Sequence, residues 1–156
     1  MNAEAYGVTV FCDDIRHEVA GKMTLVGCYL AEMNFSNPPP GVLPTFAALV
    51  NVRIPLSIEY DKLTLLVVKE TGSEVEEIFR TEVDNPSTSL NSDPQDDGGE
   101  APSIAMIAVP VRWSLMEFSK PGFIKVRGYL DGDAEIRAGA LRVNFPSGEN
   151  LDPEGG

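Results

Sequence analysis

The chain has 156 residues, a length typical of one domain, and 43% of them are hydrophobic, which is enough for a core that needs no disulfide or metal ion. Its 24 Asp and Glu residues outnumber its 12 Lys and Arg residues, for a net charge of −12. Nucleic-acid backbones and anionic lipids are bound by clustered Lys and Arg. Because the basic residues are scattered singly here, the sequence argues against direct nucleic-acid binding and against docking on a membrane.

The N-terminal residues show no basic segment followed by an apolar run, so no signal peptide is predicted. No apolar stretch is long enough to span a bilayer. Cys12 and Cys28 are the two cysteines, and in a chain without an export signal such residues are more often reduced and buried than disulfide-bonded. The sequence therefore predicts a cytoplasmic protein with two buried, reduced thiols.

In chain order, residues 6–13 are predicted as the first strand, with Tyr6, Val8, Val10 and Cys12 on one face. Residues 14–22 are predicted as a loop or a single helical turn that ends at Gly21. Residues 23–33 form a second long run that is apolar on both faces, which is typical of a central strand.

Residues 36–44 contain four of the 12 prolines and are predicted to be irregular. Six further strands are predicted at residues 45–54, 62–69, 74–83, 104–113, 123–131 and 134–145. Thr71-Gly72-Ser73 and Asp131-Gly132-Asp133 are predicted hairpin turns, because Gly tolerates positive φ. Residues 115–120 are compatible with one short turn. Eight strands without an amphipathic helix predict an all-β, two-sheet antiparallel sandwich of Ig-like or C2-like type.

Two segments hold much of the charge. Residues 84–103 contain five acidic residues, three prolines and no base, and are predicted to be a mobile acidic loop within a domain spanning residues 1–147. Residues 148–156 are predicted to be a flexible tail. Together these segments hold eight acidic residues, which favours a solubilising origin for the acidity over a functional one.

The densest polar cluster is the segment from Cys12 to Glu18, which contains Asp13, Asp14 and the single histidine, His17. Thiolate, imidazole and carboxylate groups all ligate zinc or iron, so this segment is a candidate metal site. The favoured interpretation is structural: Asp13 or Asp14 caps the turn that follows the first strand through the backbone N–H groups of residues 16–18. A Cys12–His17 nucleophile pair is disfavoured, because neighbouring carboxylates raise the pKa of a thiol.

Other candidates have simpler structural interpretations. The run from Asp131 to Glu135 is superficially similar to a calcium loop, but it lacks the 12-residue spacing and flanking helices of an EF-hand, so a hairpin is favoured. Trp113 and Tyr60 are either interface anchors or core residues, and the core is favoured. Phosphate-binding, nucleophile-elbow and metalloprotease motifs do not occur, so no catalytic residue and no cofactor is predicted.

The run from Phe11 to Val19, followed by Gly21-Lys22 and then Val26-Gly27-Cys28-Tyr29, resembles the opening of an uncharacterised family of small bacterial and phage-associated β-sandwich proteins. The C-terminal half is similar too, with Phe118, Pro121-Gly122, Gly128-Tyr129, Asp131-Gly132 and Leu141-Arg142-Val143. The resemblance covers most of the chain except the acidic segments. It implies a sandwich of bacterial, phage or prophage origin and assigns no catalytic role to any residue.

The sequence leads to three functional hypotheses. The first is a non-enzymatic, cytoplasmic module that binds a protein partner through its surface. The second is an acidic inhibitor that mimics nucleic acid and blocks a host-defence nucleoprotein, in the manner of anti-CRISPR proteins. The third, and least favoured, is a metal-binding protein or enzyme centred on Cys12, Asp14 and His17. A mimic requires carboxylates in rows on rigid strands, so the placement of the acidic residues distinguishes the first two.

Overall fold

The protein, described by a computed structural model over residues 4–86 and 104–147, is a two-layer β-sandwich. The described residues form nine strands and a short 3₁₀ turn. The elements are β1 (Tyr6–His17), the 3₁₀ turn (Val19–Gly21), β2 (Met23–Tyr29), β3 (Glu32–Asn34), β4 (Gly41–Pro55), β5 (Lys62–Thr71), β6 (Glu74–Asp84), β7 (Ile104–Phe118), β8 (Gly122–Leu130) and β9 (Ala134–Asn144). The predicted all-β sandwich is confirmed.

The strands form two sheets. The four-stranded sheet has the order β2-β1-β4-β7, and all its pairs are antiparallel. The five-stranded sheet has the order β3-β9-β8-β5-β6, in which only the short β3 pairs in parallel, with β9. Within the described residues, β2 and β7 are therefore the edges of one sheet, and β3 and β6 are the edges of the other.

Strict alternation of side chains along the strands builds the core. On β4, five buried residues alternate with outward-facing ones, and β5 does the same across the interface. The residues of these two strands that are buried in the main core are Phe46, Ala48, Val50, Val52, Ile54, Leu63, Leu65 and Val67. Phe46 stacks between the Phe11 and Trp113 rings, at centroid distances of 6.1 and 5.6 Å. The core therefore lies between the two sheets and is continuous across them.

The two sheets approach most closely where β1 crosses β9. A Cβ atom added to Gly7 would lie within 2.6 Å of the Cβ of Ala138, so this position has no room for any side chain. Beside it, the Thr9 hydroxyl donates a hydrogen bond of 2.7 Å to the carbonyl oxygen of Ala138. Small residues at this crossing let β1 close one side of the sandwich.

The prediction of one long central strand over residues 23–33 is wrong. The chain leaves the four-stranded sheet after Tyr29, passes through a fully exposed Leu30 and enters the five-stranded sheet as β3. The run is apolar on both faces for a different reason. Tyr29 packs on the main core, whereas Met23 and Leu25 pack on a small second cluster on the outer side of the sheet.

Three strands extend four or five residues beyond their predicted ends. β1 continues through His17, so residues 14–17 are strand rather than loop, and β7 continues through Phe118 across the turn predicted after residue 115. β4 begins at Gly41 despite Pro44. β1 pairs with β4 only from Ala47 onward, so Pro44 lies where β4 has one neighbour and its missing N–H leaves no ladder bond unmade.

Both predicted hairpin turns are confirmed. Asp131 and Gly132 have φ values of 51° and 81°, and the N–H of Asp133 donates to the carbonyl of Leu130 at 3.1 Å, which closes a three-residue connection between the paired residues Leu130 and Ala134. Gly72, with a φ of 61°, forms the turn between β5 and β6. The predicted acidic loop begins later than expected, because Asp84 ends β6. Residues 87–103 of that loop, and the predicted tail at residues 148–156, lie outside the described residues.

Candidate functional site

The Cys12–His17 segment is the end of a paired strand, and its first carboxylate points inward. The Tyr29 hydroxyl donates a hydrogen bond of 2.5 Å to Oδ1 of Asp13, across the β1–β2 pair. Asp13 lies over Gly27, whose φ of 66° and lack of a side chain leave room for the carboxylate. Burial first, and then the hydrogen bond to Asp13, raise the pKa of Tyr29. Asp13 is thus held by a structural contact.

Asp14 is held on the opposite side of the strand. Its Oδ1 accepts a hydrogen bond of 3.0 Å from the N–H of Ile15 and lies 3.1 Å from Nε of Arg112 on β7. The predicted cap, in which an Asp receives the N–H groups of residues 16–18, is wrong because β1 does not turn there. The predicted structural role is retained through different partners: an N–H one residue on and a guanidinium two strands away.

Cys12 is fully buried in the second cluster, against Ile15 and Ala47. Its Sγ donates to the backbone carbonyl of Asp14 at 3.4 Å. Burial, and then the negative charges of Cys28 and Asp13, raise the pKa of the Cys12 thiol to about 11. A thiol in this state is a poor nucleophile at neutral pH. Cys28 is exposed, so the prediction that both thiols are buried is wrong for Cys28; both are free, as predicted.

His17 does not join Cys12 in a shared site. It is exposed at the end of β1, opposite Met23, and five strand positions place it about 16 Å from Cys12 along the chain. Within residues 4–86 and 104–147, no three His, Cys, Asp or Glu side chains are grouped so as to hold a metal ion. The predicted site residues therefore do not meet. Asp13 contacts Tyr29 on the inner side and Asp14 pairs with Arg112 on the outer side, whereas Cys12 is buried in the second cluster and His17 is exposed at the end of β1.

The carboxylate of Asp131, in the turn between β8 and β9, accepts hydrogen bonds from backbone N–H groups. Oδ1 of Asp131 accepts hydrogen bonds from the N–H groups of Asp61 and Lys62, at 3.0 and 2.9 Å. The N–H of Asp131 donates back to the carbonyl of Lys62 at 2.9 Å. This carboxylate ties two loops together at one end of the sandwich, in agreement with the favoured hairpin interpretation.

Tyr60 is part of the core, and Trp113 lies partly buried at its rim. Tyr60 is buried, and Trp113 packs on Phe46 while its Nε1–H donates a hydrogen bond of 3.0 Å to the carbonyl of Ile78. The indole therefore bridges β7 to β6 where the two sheet edges meet. The core interpretation is therefore confirmed for Tyr60 and, at the rim of the core, for Trp113.

A surface not singled out as a site by the sequence reasoning lies on the outer side of the four-stranded sheet. Register places Tyr6, Arg53 and Met106 in one row across β1, β4 and β7, and the next rows continue the same face. We define the apolar face by Tyr6, Val8, Val10, Leu49, Met106 and Ala108.

The apolar face is open to solvent. Val8 and Met106 are 56% and 61% exposed, and Tyr6 and Val8 line a shallow depression of about 410 Å³ with Asn51 and Arg53. The sequence carries a signal for this face, because Tyr6, Val8 and Val10 alternate with Gly7, Thr9 and Phe11, which face the other sheet. What the alternation does not reveal is which of two apolar faces is covered.

The outer side of the five-stranded sheet has a different chemistry. Cations and carboxylates pair across its strands: Lys125 with Glu70 at 2.8 Å and Arg127 with Glu135 at 3.2 Å, for example. Such exposed ion pairs are typical of a face that remains in water.

The mimicry hypothesis requires rows of carboxylates on rigid strands, and β6 is the strand to examine for them. It is an edge strand with five carboxylates: Glu74, Glu76, Glu77, Glu82 and Asp84. Three of them pair with cations: Glu76 with Lys69, Glu77 with Arg80 and Glu82 with Lys62, at 2.7 to 3.4 Å. A surface that replaces phosphates needs uncompensated charge. The ion pairs neutralise most of this row, so the placement does not favour mimicry.

Comparison of the chain with protein-family models and with curated proteins found no match. In the part of the chain that the structure describes, no helix has the length and apolarity needed to cross a membrane.

Proposed function

We propose that the protein is a non-enzymatic, cytoplasmic protein-binding module whose contact surface is the apolar face. One observation carries the proposal: on the outer side of the four-stranded sheet, large apolar side chains of β1 and β7 stand on either side of Arg53 and Asn51 of β4. Tyr6, Val8 and Met106 are all about half exposed or more. Groups of exposed apolar side chains beside polar residues mark interaction sites in soluble proteins.

The rigidity of the surface supports this use. The apolar face lies on β1, β4 and β7, and β4 is hydrogen-bonded on both sides where it pairs with β1. A backbone held on paired strands loses little conformational freedom when a partner covers it, so more of the roughly 25 cal/mol gained per Å² of buried apolar surface contributes to affinity.

The charges on and beside the apolar face indicate which kind of partner surface it fits. Arg53 stands in the same row as Tyr6 and Met106, and among the described residues no carboxylate is within ion-pair distance of it. Arg112 borders the far end and is shared with Asp14. An apolar surface with one cation in its middle and another at its edge is complementary to an apolar protein surface that carries carboxylates.

A second copy of this chain is a poorer fit. The described carboxylates of the four-stranded sheet are Asp13, Asp14 and Glu117. Tyr29 and Arg112 engage the first two, so Glu117, opposite Val42 at the other end of β7, is the one of the three that could approach Arg53 of another copy. The net charge of −12 also repels like chains.

Matched valine substitutions test the proposal. Val8→Glu places a charge in the apolar face, and Val75→Glu places the same charge at a similarly exposed position, 64%, on β6 of the other sheet. Proteins captured from the source cells by the parent and by both variants are quantified by mass spectrometry, and binding is then measured with the purified partner.

We expect Val75→Glu to bind the partner as the parent does. Val8→Glu should bind it about tenfold or more weakly, since an uncompensated charge at a desolvated contact is costly. Thermal unfolding of both variants should stay close to that of the parent. Retention of the partner by Val8→Glu, or a stable homodimer of the parent in sedimentation analysis, contradicts the proposal.

A further inference from the structure

The two cysteines are direct cross-strand neighbours. The β1–β2 register places Cys12 opposite Cys28, between the Phe11–Tyr29 and Asp14–Val26 pairs. Opposed residues of an antiparallel pair have Cα atoms about 4.5–5.5 Å apart and side chains on the same face. This separation lies within the range of about 4.4–6.8 Å found in disulfides.

The two thiols differ in access to solvent. Cys28 is exposed, whereas Cys12 is fully buried beside it. Within the described residues, β2 is an edge strand that pairs only with β1, so it can shift by the small distance that closing an S–S bond requires. An accessible thiol next to an inaccessible one, on a strand free to adjust, is the arrangement of an attacking and a resolving cysteine.

We propose that Cys12 and Cys28 form an oxidant-reactive dithiol, which hydrogen peroxide converts to an intramolecular disulfide. The Cys28 thiolate attacks one peroxide oxygen, the O–O bond breaks, and hydroxide leaves to give a sulfenic acid at Cys28. The Cys12 sulfur then attacks the Cys28 sulfur, its proton joins the departing hydroxide, and water leaves. Two thiols are oxidised by two electrons in total, and one peroxide is reduced to two waters.

The environment of Cys12 assigns the two roles. Burial raises the pKa of Cys12 from 9.0 to about 11, which lowers its thiolate fraction roughly a hundredfold at neutral pH. Cys12 therefore does not react first with peroxide, which its burial also excludes. Once Cys28 is a sulfenic acid, the opposed Cys12 is the nearest thiol by register. The inference is independent of the proposed apolar face.

The test uses the reduced full-length chain and excess hydrogen peroxide, followed by alkylation, intact mass measurement and peptide mapping without reductant. The expected product is monomeric, lighter than the reduced chain by two hydrogen atoms, and contains a crosslink between the peptides of Cys12 and Cys28. A dithiol reductant should restore the original mass and both alkylation sites.

Two variants separate pairing from general thiol oxidation. Cys12→Ser should leave Cys28 to accumulate as sulfenic and then sulfinic acid. The double variant Val26→Cys with Cys28→Ser moves the exposed thiol two positions along β2, opposite Asp14, where the diagonal Cα distance to Cys12 is about 7–8 Å, beyond disulfide range. Its internal disulfide should form at least about tenfold more slowly than that of the parent.

Three results would overturn the inference. The first is accumulation of sulfinic acid at Cys28 of the parent while Cys12 remains alkylatable. The second is a disulfide-linked dimer through Cys28 as the main product. The third is equal crosslinking rates in the parent and in the double variant, with thermal unfolding showing that both are folded.

Discussion

The two outward faces of this sandwich have opposite chemistry, although the same alternation of side chains produces both. On the five-stranded sheet, outward positions carry cations and carboxylates that pair across strands, such as Lys125 with Glu70. On the four-stranded sheet, outward positions carry Tyr6, Val8 and Met106. A face of ion pairs is stable in water, whereas an apolar face is stabilised when another surface covers it. The difference directs the search for a partner to one side of the molecule.

The overall acidity says little about either face. The nine strands contain eleven of the 24 acidic residues and ten of the 12 basic residues, so the sandwich itself is nearly neutral. The excess negative charge lies in the connections and in the segments outside the described residues. Net charge therefore affects solubility and self-repulsion, and the distribution over the strands decides which surfaces recognise a partner.

The apolar face is covered at one end and exposed at the other, and substitutions at the two ends should differ in their effect on stability. Near Cys12 it is covered by the second cluster, in which Ile15 is 6% exposed. Ile15→Ala should lower the free energy of unfolding by about 2–4 kcal/mol, because it removes buried methyl groups and leaves a cavity. Denaturant unfolding beside Val8→Ala, at the open end, provides the comparison. Equal losses in the two variants would show that the face is either covered or open throughout.

The inner side of the same corner depends on the Asp13–Tyr29 contact. Tyr29→Phe removes the hydroxyl and leaves Asp13 partly buried without its donor, so the free energy of unfolding should fall by about 1–3 kcal/mol. Tyr129→Phe, on β8 of the ion-paired sheet, is a matched control that should change stability by about 0.5 kcal/mol or less. If both variants are as stable as the parent, the contact with Tyr29 does not stabilise the fold. The segment from Cys12 to Glu18 would then again be a candidate binding site.

Alkaline pH should destabilise this corner selectively. The folded protein raises the pKa of Tyr29 and raises that of Cys12 from 9.0 to about 11, so in both cases the folded state holds the proton more tightly than the unfolded state. The resulting stabilisation is complete below the unfolded pKa values and is lost as the pH rises through the folded ones. The free energy of unfolding should therefore fall between pH 9 and about 11. The double variant Cys12→Ala with Tyr29→Phe should show a flatter dependence over that range.

The smallest effect is expected on the ion-paired face. Lys62 and Glu82 lie 3.4 Å apart and are both more than half exposed, so Lys62→Gln should cost about 0.5 kcal/mol or less. Added salt should reduce that difference further, since exposed pairs are screened. A loss above about 1.5 kcal/mol would mean that this face contributes to stability in the way a covered surface does.

Alternating apolar residues and the turn residues at Gly72, Asp131 and Gly132 are local features, and the sequence by itself determined the all-β class, most strands and both hairpins from them. The site was harder to predict. The sequence predicts that Cys28 is buried and that Asp13 or Asp14 caps a turn. Both predictions are wrong, because the neighbours that decide these questions lie on other strands. Register sets Cys28 on an edge and brings Arg112 to Asp14.

The tertiary structure alone decided which strands are edges and which apolar faces are covered. Alternation assigns residues 6, 8 and 10 to one face and Gly7 and Thr9 to the other, but either set is compatible with a core. Gly7 and Thr9 face inward because they are small enough for β9 to approach, with Ala138 in contact with both. Tyr6 and Val8 are then directed outward, and an apolar surface remains exposed because the packing of the two sheets has already used the opposite side.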